Sequence, residues 1–327
     1  MNLIDIISSF SGKVILVIGD VMIDRFVYGK VRGVSHEISI PIIDVIKETE
    51  TIGGAGNVAN NIVALGGKAI IVSVIGEDIT GALLIKLLQQ RKIIHNYLIH
   101  DYQRPTTEKT RIISTNQQVL RIDKETKKTL KPYIESKILK NIEILIKKVN
   151  AVIISDYGKG VVTSLILKKT IFLARKNKIP ITVDPKIENF KRYKNVTTIT
   201  PNENEAIQGM KAKNIKTNDD IVILGKRILK ILKANSIVIT RGKKGITLIQ
   251  SNDKVVNIPT RAKEVYDVTG AGDTIISTMT LALAANADLL NAVEIANFAA
   301  SVIVGKFGTV TITPTELIKV IESFYKK

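Results

Sequence analysis

The sequence predicts an α/β fold built on a mostly parallel β-sheet. Short continuous apolar runs, most of them followed by glycine, proline or an acidic residue, alternate with longer helical segments. Such repeated βα units imply a parallel sheet that helices cover on both faces. The chain has 327 residues, 45% of them hydrophobic, and no Pro/Ser-rich linker or internal repeat divides it. We therefore predict a single domain over residues 1–327 with a sizeable core.

The first predicted strand carries two acidic residues near its end. Val14 to Ile18 is a continuous apolar run typical of a buried strand, and it is followed by Asp20 and Asp24 in what we interpret as one exit loop. Ligands of open α/β sheets bind at the carboxyl ends of the strands. Asp20 also fits an ordinary turn residue, but two acids in one loop favour a polar ligand.

Two β insertions interrupt the helical pattern. Residues around 22–48 contain Gly29, Gly33 and Pro41 among β-branched residues, and residues around 107–123 alternate in polarity. Both segments indicate extended hairpins. We expect them to form one small sheet outside the main sheet, suited to a lid or a dimer surface.

A glycine-rich stretch from Gly53 to Ala59 opens a helix that ends near Leu65. Residues 54–59 match the dinucleotide fingerprint G-x-G-x-x-A, which requires a buried strand immediately before it. Polar residues 47–51 precede it here, so support for a dinucleotide-dependent oxidoreductase is weak. We predict instead that the glycines let a polar substrate approach the backbone, with Asn57 offering a side-chain hydrogen bond.

Regular alternation of strands and helices follows. Strands are predicted at 68–75, 93–99, 151–155, 180–183, 196–200 and 237–240, and helices at 80–90, 131–149, 162–177, 275–285, 292–306 and 313–324. Polar loops follow the later strands at 156–160, 184–186, 201–205 and 241–242. Because strand exits of a parallel sheet share one edge, we expect these loops to meet in one cleft.

The stretch from Val265 to Thr274 combines two glycines with a carboxylate at a helix entry. Unpaired N–H groups and the helix dipole make such an entry an anion site. A loop that only holds phosphate would not place Asp273 among its own donors, whereas a loop that holds a phosphoryl group beside a base would. Asp273 or Thr274 also fits an ordinary helix N-cap, and local chemistry leaves both readings open.

Composition excludes several other classes of protein. The net charge is +18, but the lysines are spread along the chain and aromatic residues are only 5%, so we expect no nucleic-acid partner. Cysteine is absent, and His36, His95 and His100 lack the spacing of metal ligands. Neither a G-x-S-x-G elbow nor a Walker A loop is present.

The chain offers no sign of a membrane or secretion signal. Met1 to Lys13 lacks the basic start of a signal peptide, and the weakly polar run from Ile275 to Ala285 is too short to span a bilayer. We therefore expect a cytoplasmic protein without a membrane partner.

Three ordered motifs resemble a known family. Residues 267–274 (DVTGAGDT) look like the C-terminal signature of the ribokinase, or PfkB-type, carbohydrate kinases. Residues 53–57 (GGAGN) resemble their di-glycine signature, and residues 200–205 (TPNENE) are similar to their N-x-x-E element. The resemblance covers essentially the whole chain. It implies a ribokinase-like three-layer sandwich with a mostly parallel central sheet and a small β lid.

Further motifs narrow the resemblance to the D-glycero-β-D-manno-heptose-7-phosphate kinases. They lie at 19–25, 116–118, 155–160, 184–186, 264–267 and 304–309. These enzymes phosphorylate O1 of their substrate in the ADP-heptose branch of lipopolysaccharide core synthesis, and another PfkB-type sugar kinase is the alternative. Residues 35–41 depart from the usual version of the lid segment. Many relatives carry a fused nucleotidyltransferase, so we expect a separate protein to supply that activity here.

The resemblance also implies roles for individual residues. Asp273 would be the base, and the N–H groups of Ala271, Gly272 and Asp273 would hold the moving phosphoryl group in the catalytic loop that begins at Gly270. Sites for ATP would be Asn202, Glu203, Asn204, Glu205, Thr240, Gly242 and Asn297, with Glu205 binding Mg²⁺ through water. Sites for the sugar phosphate would be Asp20, Asp24, Gly53, Gly54, Asn57, Arg111, Lys159 and Lys186. A homodimer through the β lid and a monovalent cation near Asp267 are also implied.

Overall fold

The computed structural model describes residues 2–34, 40–115, 117–262, 264–306, 308 and 310–326. The strands are β1 (Val14–Gly19), β2 (Val21–Val34), β3 (Pro41–Gly54), β4 (Lys68–Ile75), β5 (Ile94–His100), β6 (Thr107–Ser114), β7 (Gln117–Lys124), β8 (Ala151–Ser155), β9 (Ile181–Asp184), β10 (Thr198–Ile199), β11 (Ser236–Thr240), β12 (Ile246–Gln250) and β13 (Val255–Ile258). The helices are α1 (Leu3–Ser8), α2 (Ala55–Ala64), α3 (Ile79–Gln90), α4 (Pro132–Leu145), α5 (Ser164–Lys176), α6 (Glu203–Gly209), α7 (Asn218–Leu232), α8 (Ala271–Ala284), α9 (Leu289–Ile303) and α10 (Pro314–Tyr325).

A large sheet forms the centre of the molecule. Its strand order is β13-β12-β11-β10-β9-β8-β1-β4-β5, and every pair from β5 to β11 is parallel. The pairs β11–β12 and β12–β13 are antiparallel. The predicted mostly parallel sheet is therefore confirmed, and the carboxyl ends of its parallel strands share one edge.

Helices cover both faces of this sheet. Along β1, the side chains of Ile15 and Val17 belong to one buried cluster, whereas those of Leu16 and Ile18 belong to a second. This alternation is expected of a strand buried on both faces. Helices α1, α2, α3, α8, α9 and α10 contribute to the first cluster, and α4, α5, α6 and α7 to the second. The predicted three-layer sandwich is confirmed.

The two β insertions form a separate four-stranded sheet of order β3-β2-β6-β7. Strand β2 follows β1 after the single residue Asp20, and β3 runs directly into α2. Irregular register between β2 and β3 occurs at Tyr28/Gly29 and at Val31/Gly33. The small sheet thus begins and ends next to the strand exits of the large one.

Some local predictions were wrong. Asp24 lies within β2 rather than in an exit loop, and β3 does precede the glycine stretch, although as a largely exposed strand of the small sheet. Helices α1, α6 and α7 and the β12–β13 hairpin were not predicted. The starts of α6 and α7 carry capping boxes, Asn202 with Glu205 and Thr217 with Asp220, which were readable sequence signals.

Predictions for several residues cannot be compared with the structure. The variant lid motif at 35–39 and the motif residues Asn116, Phe307 and Thr309 lie outside the described residues.

Candidate active site

Asp20 ties two strand exits together. Its Oδ2 accepts hydrogen bonds of 3.0 Å from the N–H groups of Tyr157 and Lys159, and its Oδ1 accepts one of 3.0 Å from Val161. Burial raises the pKa of Asp20, and the charge of Asp156 adds to this, although the three N–H bonds oppose it. Asp20 therefore fixes the loop after β8 against the end of β1. Its predicted contact with sugar hydroxyls stays a prediction.

The two glycines before α2 allow close packing against acidic residues. A Cβ atom on Gly53 would lie 2.2 Å from Oδ2 of Asp24. Gly54 has a φ of 58°, and a Cβ atom there would lie 2.4 Å from the carbonyl oxygen of Asp20. Only glycine fits both positions without displacing its neighbours. The start of α2 is thereby brought against the carboxylate of Asp24.

Asp24 and Arg111 form an ion pair across the small sheet. Nη1 of Arg111 lies 2.5 Å from Oδ1 of Asp24, whose residue is 8% exposed. The guanidinium group also lies 5.4 Å from the ring centroid of Phe26. Arginine has five N–H donors, so Arg111 retains donors for an anionic ligand.

Asp273 sits at the third position of α8 and receives one hydrogen bond on each carboxylate oxygen. Asn57 Nδ2 donates to Oδ2 at 2.7 Å, and the hydroxyl group of Tyr157 donates to Oδ1 at 2.8 Å. The N-cap of α8 is Gly270, with a φ of 81° and no side-chain cap bond. The alternative that Asp273 or Thr274 caps this helix is therefore wrong, and α8 begins before the predicted start at Ile275.

The environment of Asp273 suits proton transfer near neutral pH. Burial raises its pKa to about 6, against the lowering effect of the bonds from Asn57 and Tyr157 and with a small further rise from Asp24. A general base works best when its pKa lies close to the working pH. Asp273 thus has the properties of a base that accepts a proton from a bound hydroxyl.

The N-terminus of α8 leaves donors open beside this carboxylate. Within the part of the chain that the structure describes, no acceptor contacts the N–H groups of Gly272 and Asp273, whereas that of Ala271 donates to the carbonyl of Val268 at 3.2 Å. A Cβ atom on Gly272 would meet nothing within 4 Å. Two of the three N–H groups assigned to the phosphoryl group are therefore available.

A neighbouring cavity of about 520 Å³ gathers most of the residues predicted to bind nucleotide. It is lined by Ile187, Asn202, Glu203, Asn204, Glu205, Thr240, Arg241 and Gly242. A β-bridge between Asn202 and Thr240 joins its two sides. The capping box of Asn202 and Glu205 holds the first turn of α6 against the cavity.

Arg241 in this cavity was not predicted. Its Nε lies 3.0 Å from Oε2 of Glu203, and its Nη2 donates to Oδ1 of Asn218 at 2.9 Å. Its place directly after β11 was the available signal. Asn297, in contrast, does not line this cavity, because its side chain donates to the carbonyl of Pro259 at 2.8 Å.

Asp184 was also missed, although it ends β9 at the same sheet edge. Burial raises its pKa well above the ordinary value, and the negative charges of Asp273, Glu205 and Asp156 raise it further. Burial likewise raises the pKa of Glu205. The charges of Asp273 and Glu205 both act on Asp184, which is therefore near both the base and a residue of the cavity.

The cations predicted to bind the sugar phosphate have different partners. Nζ of Lys159 lies 2.5 Å from Oε2 of Glu125. Lys186 packs against Gly158 and lowers the pKa values of Asp184 and Glu205. The structure thus places Lys186 nearer the cavity than Lys159.

Lys109 is a further cation that the sequence did not reveal. Burial lowers its pKa, and the positive charge of Lys159 lowers it further, while Asp24 opposes both. Its Nζ lies 5.9 Å from the ring centroid of Tyr157. Lys109 and Lys159 therefore place two positive charges close to the loop that carries Tyr157.

These features define a class of enzyme. A buried base with a pKa near 6 lies beside open N–H groups at a helix N-terminus, and a polar cavity adjoins it. This arrangement suits transfer of an anionic group to a hydroxyl. No helix in the described part of the chain is long and apolar enough to cross a membrane.

The chain belongs to the pfkB family of carbohydrate kinases, whose family model matches residues 13–316. The bifunctional protein HldE of Geobacter sulfurreducens is 39% identical over 303 residues, which are 93% of this chain and 62% of that protein. HldE of Caulobacter sp. strain K31 is 41% identical over 316 residues, 95% of this chain and 63% of that protein. The chain therefore spans about 62–63% of the length of these relatives.

Solved structures share the fold. Arabidopsis thaliana ribokinase with ribose and ATP superposes with a TM-score of 0.75 at 18% identity, covering 95% of this chain and 99% of that one. Escherichia coli phosphofructokinase-2 with potassium gives 0.79 at 19% identity, covering 97% and 100%. At these identities, the likeness concerns the fold alone, which is the predicted ribokinase-like sandwich.

Proposed function

We propose that the chain transfers the γ-phosphoryl group of ATP to O1 of D-glycero-β-D-manno-heptose 7-phosphate. The product would be the 1,7-bisphosphate, an intermediate of ADP-heptose synthesis for the lipopolysaccharide core. Membership of the pfkB family, the heptose-kinase motifs and the 39% identity to HldE support this proposal. The alternative is another pfkB-type kinase that acts on a different sugar or sugar phosphate.

The observation that carries the proposal is the setting of Asp273. Its buried carboxylate has a pKa raised to about 6 and lies at the start of α8 among open N–H groups. The proton of the sugar hydroxyl passes to Asp273 as that oxygen forms a bond to the γ-phosphorus. The bond between the γ-phosphorus and the β–γ bridging oxygen breaks, and ADP leaves. The N–H groups of Gly272 and Asp273 stabilise the charge of the moving group.

The residues around the cavity provide the nucleotide site. Asn202, Glu203, Asn204, Glu205, Thr240 and Gly242 line one space of about 520 Å³, which is within the range of ligand pockets. Arg241 joins this group as an additional cation. The adenine contact of Asn297 remains part of the proposal, on the resemblance alone.

The sugar phosphate lies between the glycine stretch and the small sheet. Asp24, Gly53, Gly54, Asn57 and Asp20 hold sugar hydroxyls, in keeping with the buried Oδ1 of Asn57, which has no hydrogen-bond partner among the described residues. The phosphate group of the substrate binds Arg111 and Lys159, and Lys186 is the third candidate. We add Lys109, because a half-buried ammonium group beside Lys159 is stabilised by a dianion.

A Mg²⁺ ion fits the charge distribution beside the cavity. Burial raises the pKa of Asp184, and the charges of Asp273, Glu205 and Asp156 raise it further, so these carboxylates are near one another beside the cavity. Glu205 already accepts a hydrogen bond from the N–H of Asn202, which suits contact through a metal-bound water. Magnesium typically uses only one or two carboxylates together with substrate phosphates. When bound, it would neutralise phosphate charge during transfer.

A monovalent cation near Asp267 belongs to the same proposal. Both oxygens of Asp267 accept backbone hydrogen bonds, from Thr269 at 2.9 Å and from Gly308 at 3.0 Å. Asp267 therefore fixes the loop before α8. The proposed cation would bind beside this loop, which leads to the open N–H groups of α8.

The partners complete the proposal. Exposed apolar residues on the small sheet, among them Ile46, Leu120 and Ile122, support a homodimer through the lid. A separate nucleotidyltransferase in the same pathway remains part of the proposal, on the resemblance alone. We place the reaction in the cytoplasm with its sugar phosphate and ATP.

A substrate panel tests the proposed function. ADP release is measured with heptose 7-phosphate, ribose, fructose 6-phosphate and adenosine as acceptors. We expect turnover with heptose 7-phosphate and near-background rates with the others. Preference for another acceptor would replace the heptose kinase with the alternative sugar kinase, and NAD(H) binding without any ADP release would favour the oxidoreductase.

A further inference from the structure

We propose that Tyr157 is a positioning residue that fixes the Asp273 carboxylate and keeps it ionised. The inference extends the proposed function, since it concerns the same base. Tyr157 lies in the polar loop after β8, and neither its position nor its residue type indicated a partner more than a hundred positions away. The structure places its hydroxyl group 2.8 Å from Oδ1 of Asp273.

The geometry distinguishes Tyr157 from a general packing residue. Asn57 donates to Oδ2 of Asp273 and Tyr157 donates to Oδ1, so each carboxylate oxygen has one donor. The last torsion of an aspartate side chain is otherwise broad and poorly defined. Two donors on opposite oxygens fix the plane of the carboxylate. Its remaining lone pairs stay directed at one place, where a substrate hydroxyl can bind.

The backbone of Tyr157 is itself held in place by Asp20 at the end of β1. Its N–H donates to Oδ2 of Asp20, and the same carboxylate accepts from Lys159 and Val161. Asp20 follows β1, an interior strand of the large sheet between β8 and β4. The carboxylate of Asp20 therefore fixes the backbone of the loop that carries the Tyr157 side chain. This chain of contacts gives the exit loop of β8 a function beyond sugar or phosphate contacts.

Electrostatics supports the same role. Asp24 on β2 faces Asp273 and raises its pKa, and Asp184 after β9 carries a further acidic group nearby. Lys109 on β6 lies over the Tyr157 ring. Against burial and Asp24, the Asn57 and Tyr157 hydrogen bonds are the influences that lower the pKa of Asp273. The pKa of Tyr157 is raised well above its ordinary value, by burial and then by Asp273, so it remains a neutral donor.

Tyr157→Phe tests the proposal because it removes only the hydroxyl group. In the wild type, the acid limb of the pH profile of kcat/KM should have its midpoint near the pKa of Asp273, about 6. We expect Tyr157→Phe to move this limb upward by about one pH unit, since a hydrogen bond to a charged group is lost. Turnover should then be about tenfold lower near pH 5 and recover above pH 8.

Tyr193→Phe is the matched control. Tyr193 is fully buried and its hydroxyl also donates to a carboxylate, but that carboxylate is Asp156 and the distance is 2.7 Å. The acid limb of the kcat/KM profile of Tyr193→Phe should stay at the wild-type pH. A Tyr157→Phe variant that loses turnover equally at every pH, with the limb unmoved, would overturn the proposal.

A second measurement does not depend on the substrate. Carboxyl ¹³C NMR follows the titration of Asp273, assigned by comparison with Asp273→Asn. The midpoint should rise in Tyr157→Phe and not in Tyr193→Phe. An unchanged midpoint would overturn the positioning role even if the kinase assay succeeds, and a raised midpoint would support it even if heptose 7-phosphate proves to be the wrong acceptor.

Discussion

Asp273 brings together burial, two side-chain donors and a helix N-terminus at one carboxylate. We predict that Asp273→Asn lowers kcat by about 10²–10⁴-fold, which is the usual contribution of a general base. ATP affinity should change little, because the nucleotide cavity is lined by other residues. Steady-state ADP release and nucleotide binding by calorimetry measure the two effects.

The control for this substitution is Asp288→Asn. Asp288 caps α9 through the N–H of Asn291 at 3.0 Å, and asparagine caps helices equally well. Its kcat should equal that of the wild type. A nearly unchanged kcat in Asp273→Asn would mean that Asp273 has only a structural role.

Lys109 provides a second test at the scale of single residues. We predict that Lys109→Met raises KM for the sugar phosphate by about 10- to 100-fold, the value of one charge-assisted hydrogen bond, with a smaller change in kcat. Lys176→Met, at an exposed lysine on α5, is the control and should leave KM unchanged. A KM in Lys109→Met equal to that of the wild type would show that Lys109 does not bind the phosphate group.

The sequence identified some of these residues and missed others for a physical reason. Asp273 and Asn57 stand in glycine-rich motifs at helix starts, so their surroundings are encoded locally. Tyr157, Asp184 and Lys109 acquire their roles only when separate strands are brought side by side. Their exit positions after β8 and β9 were a signal for Tyr157 and Asp184, whereas Lys109 lies inside an ordinary alternating strand.

At the scale of elements, a substitution at the start of α8 should have opposite effects on stability and on activity. Gly272 lies in the first turn, and a Cβ atom there would meet nothing within 4 Å. We predict that Gly272→Ala stabilises the fold slightly, by about 0.4–1 kcal/mol, because alanine restricts the unfolded chain. Kinase turnover should nevertheless fall at least tenfold if the phosphoryl group occupies that space. Urea unfolding and ADP release measure the two quantities.

Gly54→Ala is the contrasting variant. Its φ of 58° and the 2.4 Å approach to the Asp20 carbonyl should destabilise the fold by about 1–3 kcal/mol or more. Full turnover in Gly272→Ala would show that the open space at α8 is not where the phosphoryl group binds.

Elements with continuous apolar strands and long periodic helices were predictable, because burial on both faces leaves a strong pattern. The β12–β13 hairpin was not, since its strands are short and lie at the edge of the large sheet. The start of α8 was misplaced because glycine is unfavourable inside a helix, yet Gly272 lies in its first turn.

At the scale of the whole molecule, the small sheet exposes an apolar surface. Leu120 and Ile122 are 52% and 53% exposed on β7 and point to the same side of the strand. We predict that the combined change Leu120→Lys and Ile122→Lys converts a dimer to a monomer in sedimentation velocity. Phe172→Lys, at a similarly exposed residue on α5, is the control. A wild-type chain that sediments as a monomer at micromolar concentration would contradict the proposed dimer.

The stability of the folded chain should depend on the ionisation of Asp273. Its pKa rises from 3.8 to about 6 on burial, so the stabilisation from this proton is fully present below about pH 3.8 and is lost as the pH rises through 6. Asp273→Asn abolishes this titration. Relative to the wild type, the variant should therefore gain about 2.4 kcal/mol between pH 4 and pH 7.

Urea unfolding of Asp273→Asn and of the wild type at both pH values measures this gain. A stability difference between Asp273→Asn and the wild type that is the same at pH 4 and pH 7 would show that burial does not raise the pKa of Asp273.

The attachment of the small sheet has a mechanical consequence. At the Asp20 end, three backbone hydrogen bonds clamp the junction, and at the other end β3 enters α2 without an intervening loop. A sheet that is fixed at both connections should move by bending along its strands, and not by rotating as a rigid body about a flexible loop. Flexure should concentrate at the register shifts near Tyr28 and Val31. Amide hydrogen exchange should therefore quicken outward along β2, slowest at Val21 to Asp24, so that the end of β2 next to the proposed sugar site stays rigid while the far end moves.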